Sequence, residues 1–137
     1  MTSTATRPRP LARLGADPLR TVLRLDAVVT GVNGAAYLAA APLLSELLGV
    51  PSGALRGLGA FLLAYAAGVA LVAARPVVSA GATEVVVGAN LLWAAASVAA
   101  VATDRFDLTT TGAVWVLLQA AAVAGFAALQ LTALRTR

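Results

Sequence analysis

LGAFLLAYAAGVALVAA, residues 58–74, contains no charged side chain and no proline. At ~1.5 Å per residue it is ~26 Å long as a helix, close to the ~30 Å depth of a bilayer's hydrocarbon core. Arg75-Pro76 follows at once. Proline lacks the backbone N–H a helix needs, so the run stops there. Working outward, three further apolar runs of similar length stand at about 27–48, 85–102 and 113–134. The breaks between the four runs carry turn chemistry: Gly49-Val50-Pro51-Ser52-Gly53, Arg75-Pro76, and Asp104-Arg105-Phe106-Asp107. Connections this short force successive helices to run antiparallel. The expected fold is all-α, a bundle of four transmembrane helices forming a single domain over residues 17–137.

Composition points the same way. The chain of 137 residues is 60% hydrophobic and 12% charged, about half the charge that keeps a soluble globule wet. Its mean hydropathy is +0.87. Cysteine and histidine are absent. That removes disulfides, thiol redox chemistry, the usual ligands of zinc, iron and copper, and the usual general base of triad catalysis. No phosphate-binding glycine loop, catalytic carboxylate pair or nucleophile elbow is present. The expectation is a protein that is not an enzyme and holds no cofactor or metal.

Residues 1–16, MTSTATRPRPLARLGA, read as a flexible tail. Asp17-Pro18 is a helix start: the Asp side chain caps exposed N–H groups, and proline costs nothing at the first helical position. The stretch from Pro18 is amphipathic before it turns apolar, a lead-in expected to run straight into the first span. Within that span Pro42 predicts a bend. A cleaved signal peptide is the alternative for this segment, but Pro42 follows Ala39-Ala40-Ala41 where cleavage would fall, and Asp26 and Asn33 interrupt the apolar region.

All of the positive charge is arginine. Arg7, Arg9, Arg13, Arg20, Arg24, Arg75, Arg135 and Arg137 fall on one side of the expected topology, and only Arg56 and Arg105 on the other, diluted by Glu46, Asp104 and Asp107. The positive-inside rule then predicts both termini in the cytoplasm of a bacterium, with the chain multi-pass in the inner membrane. Topology accounts for the arginines, so nucleic acid is not an expected partner.

An internal echo is visible. Val28-Val29-Thr30-Gly31-Val32-Asn33 matches Val85-Val86-Val87-Gly88-Ala89-Asn90 at a shift of 57, which also carries Gly68 onto Gly125. Two helices per repeat would relate the halves by an axis along the membrane normal.

Polar side chains in hydrocarbon need partners inside the protein, so their positions mark the interior. Asp26, Thr30, Asn33 and Tyr37 share one helical face. Thr83, Asn90 and Ser97 share another, with Trp93 beside Asn90. The last span carries Trp115, Gln119, Phe126 and Gln130 along one side; the second contributes Phe61 and Tyr65, with Ala60, Ala64 and Gly68 as a small-residue seam. The candidate binding set is Asp26, Thr30, Asn33, Tyr37, Tyr65, Asn90, Trp93, Trp115 and Gln119. On one reading these converge on a polar, aromatic-walled pocket that binds or transports a small amphiphile or cation, with Asp26 as charge partner. On the other they are interhelical glue in an accessory subunit or assembly factor of a larger membrane complex. Asp26 admits a third reading, an interfacial carboxylate in a solvated ion pair with Arg20 or Arg24. Glu84 is expected at the start of the third span, where an acid meets the helix dipole favourably. Gly53 and Gly57, a GxxxG pair, are expected to serve close packing. Besides the lipid bilayer, a small-molecule ligand, a homo-oligomer and a larger complex stand as alternative partners.

The strings LRLDAVVTGVNGAAYLAA (23–40), LRGLGAFLLAYAAGVALVAARP (55–76), ANLLWAAASV (89–98) and GAVWVLLQAAAVAGFAALQLTALR (112–135) resemble a group of small four-span integral membrane proteins of GC-rich bacteria that carry no assigned function. The resemblance implies a membrane bundle and no particular activity. Small multidrug transporters are similar in size and span count and use an acid in their first span; Asp26 lies shallower than that acid.

Overall fold

The computed structural model describes residues 17–137; the tail expected over residues 1–16, with Arg7, Arg9 and Arg13, lies outside the described residues. Five helices follow in order: α1 (Pro18–Ala39), α2 (Ala41–Leu48), α3 (Ser52–Ala74), α4 (Ala80–Ala102) and α5 (Thr110–Arg135). No strand occurs among the described residues. Three of these helices, α3, α4 and α5, are long and apolar enough to cross a membrane, or four spans result if α1 and α2 count as one broken span.

The starts follow capping chemistry. Asp17 accepts the backbone N–H of Arg20 at 3.3 Å, with Pro18 at the first turn. Ser79 and Thr109 cap α4 and α5 by accepting from Ala82 and Gly112. The Ser79 cap lies outside the purely apolar window, so α4 begins five residues earlier than hydropathy places it; α3 begins six residues earlier, directly after Pro51 and with no side-chain cap. Glu84 is therefore not at a helix start: it lies in the second turn of α4, exposed, and the first turn contains no acid.

The first run is not continuous. It breaks at Ala40 and turns through 97° into α2, with Pro42 in α2's first turn. The bend was expected at Pro42, but its size was not. α1 alone is 22 residues, ~33 Å, as long as the hydrocarbon core is deep, but only together with α2 does it reach the apolarity of a span. The short α2 lies across the bundle's end, packed on α3 and α5. Its far end is pinned by Thr109, whose Oγ1 and N–H donate to the carbonyls of Leu47 and Leu48 at 2.6 and 3.2 Å. Gly49 closes α2 in the left-handed region (φ 77°), and a side chain there would also strike the Asp107 carbonyl.

Packing is dominated by two antiparallel hairpins, α1 with α3 and α4 with α5. The α1–α3 contact is closest at Gly34 and Gly59, each so near the other's backbone that an added Cβ would sit 2.7–2.8 Å from the opposing carbonyl oxygen. The expected seam at Ala60, Ala64 and Gly68 is exposed instead; the buried stripe of α3 is Leu55, Gly59, Leu62, Ala66, Val69 and Ala73. Gly53 and Gly57 have nothing within 4 Å and serve no close packing.

The two-hairpin plan has the periodicity of the internal echo, and Asp26 and Thr83, related by the same shift of 57, are both fully buried. The halves differ in detail. The break at Ala40 has no counterpart in α4, and Asn33 and Asn90 have different partners. α1 starts 15 residues before Asn33 and α4 only ten before Asn90, so the two amides lie at different levels rather than at the common depth the repeat predicts.

One end of the bundle is fastened by arginine. The Arg20 guanidinium donates to the carbonyls of Ala73, Arg75 and Pro76 at 2.5, 2.7 and 3.2 Å and pairs with Asp17 at 3.3 Å. It thus satisfies carbonyls that the end of α3 leaves without helical partners. Arg137 reaches the Val78 carbonyl at 2.6 Å. Just inside this end lies an apolar plug of Leu19, Leu23, Ala27, Val69, Ala73, Val78, Val86 and Ala133.

Candidate functional site

Above the plug the four long helices each contribute to one polar cluster. Asp26 on α1 is 0% exposed. Its carboxyl oxygens accept from Thr30 Oγ1 (3.0 Å), Asn90 Nδ2 (2.8 Å) and Gln130 Nε2 (2.7 Å). Asn90 also donates to Gln130 Oε1 at 3.3 Å and accepts from the Tyr65 hydroxyl at 3.1 Å. Tyr65 bridges further to the Val86 carbonyl at 3.3 Å. Among the described residues no buried side-chain polar atom lacks a partner. Every partner of the carboxylate is neutral, and among the described residues the one ion pair is Arg20 with Asp17.

This corrects the ion-pair reading of Asp26. The residue is six positions beyond Arg20, ~9 Å deeper along α1, and its face turns inward while Arg24 is exposed. An acid at the bilayer centre costs about 2.5–3.5 kcal/mol on insertion scales and less nearer the interface, and at Asp26 the amides of Asn90 and Gln130 offset that cost.

Two more rungs climb the α1–α5 seam. Asn33 Nδ2 donates to Gln119 Oε1 at 2.9 Å, and Trp115 Nε1 donates to the Tyr37 hydroxyl at 2.8 Å. Steps of four residues, forward on α1 and backward on α5, keep both pairs on the facing stripes of antiparallel helices. Across the bundle Phe61 stacks on Trp93 at 5.9 Å between centroids and on Tyr65 at 6.2 Å.

Between these walls is a cavity of about 270 Å³. Eight of the nine candidate residues line it: Thr30, Asn33, Tyr37, Tyr65, Asn90, Trp93, Trp115 and Gln119. Asp26 does not. It sits behind Thr30 and Asn90, which form the floor, so the expected direct exposure of the carboxylate to the pocket is replaced by contact through their side chains. Apart from Ser97 the remaining lining is apolar or aromatic, including Phe61, Leu62, Phe126, Ala96 and Ala100, with Leu48 and Val50 at the α2 end. Both tryptophans of the chain are among the lining residues.

Two residues outside the candidate set complete the arrangement. Gln130 is fully buried and holds Asp26; it stands eleven positions after Gln119, on the same stripe, which was the available signal. Phe61 stacks on Trp93, and nothing in a one-dimensional pattern pairs two aromatics on different helices.

The fold and the site thus define a polytopic helical bundle of the membrane type, with a hollow on one side of a buried polar layer. Compared with protein-family models, curated proteins and solved structures, the chain matches none of them.

Proposed function

We propose that this protein is a four-span membrane protein that binds a small amphiphile with a cationic head in the cavity between its helices. The observation carrying this reading is the hollow itself, about 270 Å³ and lined by eight polar or aromatic candidates from all four long helices. A bundle held only by interhelical hydrogen bonds has no need of one. Asp26 supports the sign of the ligand's charge. A cation ~6 Å from an ionised carboxylate gains about 3 kcal/mol at an effective dielectric constant of ~20. The outer ring of the aromatic stack, Trp93, lines the cavity and adds cation–π attraction of ~0.5–2 kcal/mol.

Chain orientation belongs to the same proposal: both termini in the cytoplasm of a bacterium and the chain in its inner membrane. The arginine-fastened end, with Arg20, Arg24, Arg75, Arg135 and Arg137, then faces the cytoplasm. Periplasmic activity of a reporter fused after Arg137 would reverse it. Membership of the small four-span group it resembles also belongs here. A second reading, a non-catalytic accessory subunit, is favoured by the polar cluster alone, which joins four helices with every group satisfied.

The test uses the chain's two tryptophans as reporters in lipid nanodiscs. Titration with an alkyltrimethylammonium and with its neutral tert-butyl isostere gives saturable fluorescence changes, tighter for the cation. In Asp26→Asn that preference shrinks by about tenfold to a hundredfold, the equivalent of ~1.4–3 kcal/mol. Equal affinity for both probes in the wild type rejects a charge-selective site.

A further inference from the structure

We propose that ligands reach this cavity sideways from the bilayer, between α3 and α4 through the Phe61–Trp93 stack, and that the ligand is a single-chain amphiphile whose head rests inside while its tail lies in lipid. The proposal rests on the binding reading above and adds a route and a ligand class.

Of the two ends and four seams of the bundle, all but one are closed, and the α1–α3 and α4–α5 seams are its two most extensive helix contacts. Towards the arginine end the floor is the Asp26–Asn90–Gln130 layer, backed by the plug around Leu23 and Val69. The opposite end is covered by α2, which Thr109 pins from the start of α5. The α1–α5 seam is sewn by Asp26–Gln130, Asn33–Gln119 and Tyr37–Trp115.

The α3–α4 seam is different. Of the four seams between the long helices this one has the least contact. Tyr65 bonds to Asn90 and Val86 at the floor; beyond that level no hydrogen bond crosses. What stands in the opening is the Phe61–Trp93 stack, and Phe61 lines the cavity while being 54% exposed. Stacked rings without a hydrogen-bond anchor separate by side-chain rotation, a motion of the ps–ns class at exposed positions.

Size points to the ligand class. The cavity is slightly under the ~300 Å³ at which ordinary small-molecule pockets begin. It accepts a compact head group against Thr30, Asn33 and Asn90, whereas a long alkyl tail needs the volume outside. An opening onto lipid supplies that volume without burying the tail in protein.

The test exploits a chain free of cysteine. Phe61→Cys with Trp93→Cys allows a cleavable bifunctional thiosulfonate to bridge the opening, with Trp115 left as the sole reporter. Tetradecyltrimethylammonium is delivered from vesicles to the protein in nanodiscs. Bridging slows the Trp115 response at least tenfold, and reductive cleavage in the same sample restores it, so loss of the two rings is controlled for. An equally fast saturable response with the bridge in place overturns the portal and leaves the pocket standing. No saturable response from Trp115 in the cleaved form or from the wild type overturns the pocket as well. Failure of the bridge to form contradicts the stacked geometry and the portal with it. Independently, a tail-brominated analogue quenches Trp93 in Trp115→Phe more strongly than Trp115 in Trp93→Phe; equal quenching places the tail inside and overturns the head-in, tail-out arrangement.

Discussion

The two halves of this bundle are built on the same four long helices and come out differently. Towards the arginine end, Leu19, Leu23, Val69, Val78 and Val86 fill the space between the helices. Towards the α2 end, the same helices enclose a hollow, although Tyr37, Leu48, Leu55 and Leu62 still form a buried cluster beside it. The dividing layer is the Asp26–Asn90–Gln130–Tyr65 network, which holds one group from each long helix at fixed spacing. On the packed side, large aliphatics meet across that spacing. On the hollow side α4 presents Ala89, Ala96, Ser97 and Ala100, and α5 presents Ala122, too small to reach across. The difference lies in side-chain volume at facing positions more than in polarity.

Substitutions that address each half in turn separate the regions. Leu23→Ala opens a cavity in the plug and costs about 2–3 kcal/mol, the low end of the soluble-protein range because lipid, not water, is the solvent that helix association must beat. Thermal unfolding in detergent reads it, and a loss as small as a few tenths of a kcal/mol would mean the plug is not close-packed. The dividing layer comes next. Asn90→Leu removes three hydrogen bonds from the layer and costs up to about 1.7 kcal/mol, the upper end for membrane side-chain bonds, whereas Asn33→Leu removes one bond on the hollow side and costs about 0.6 kcal/mol. Equal losses at the two asparagines would erase the distinction between a structural layer and a cavity wall.

Most of the helical plan was legible because its signals are local. Asp17-Pro18 marks a cap, Arg75-Pro76 a stop, and hydrophobic run length an element of membrane thickness. The inward stripe of α1 was legible too: Asp26, Thr30 and Tyr37 are buried and Asn33 is partly so. What could not be read was which stripe faces which. Asp26 bonds one near neighbour in sequence, Thr30, but its two amide partners stand 64 and 104 residues away. The Gly34–Gly59 contact escaped for the same reason: the two glycines lie on different helices, while the visible GxxxG of Gly53 and Gly57 packs against nothing. Pro42 announced a bend, but the 97° turn is set by where α2 packs on α3 and α5, which is tertiary information.

The smallest effect on stability accompanies the most direct test of whether the hollow is a binding site. Ser97 lines the cavity from α4 and is partly buried. Ser97→Leu adds volume where there is space, so thermal stability changes by no more than about 0.5 kcal/mol. Titrating wild type and Ser97→Leu in nanodiscs with an alkyltrimethylammonium, read by tryptophan fluorescence, decides the matter. The filled variant is predicted to bind at least tenfold more weakly while unfolding at the wild-type temperature. Identical binding curves for the two proteins would contradict the cavity as the ligand's site.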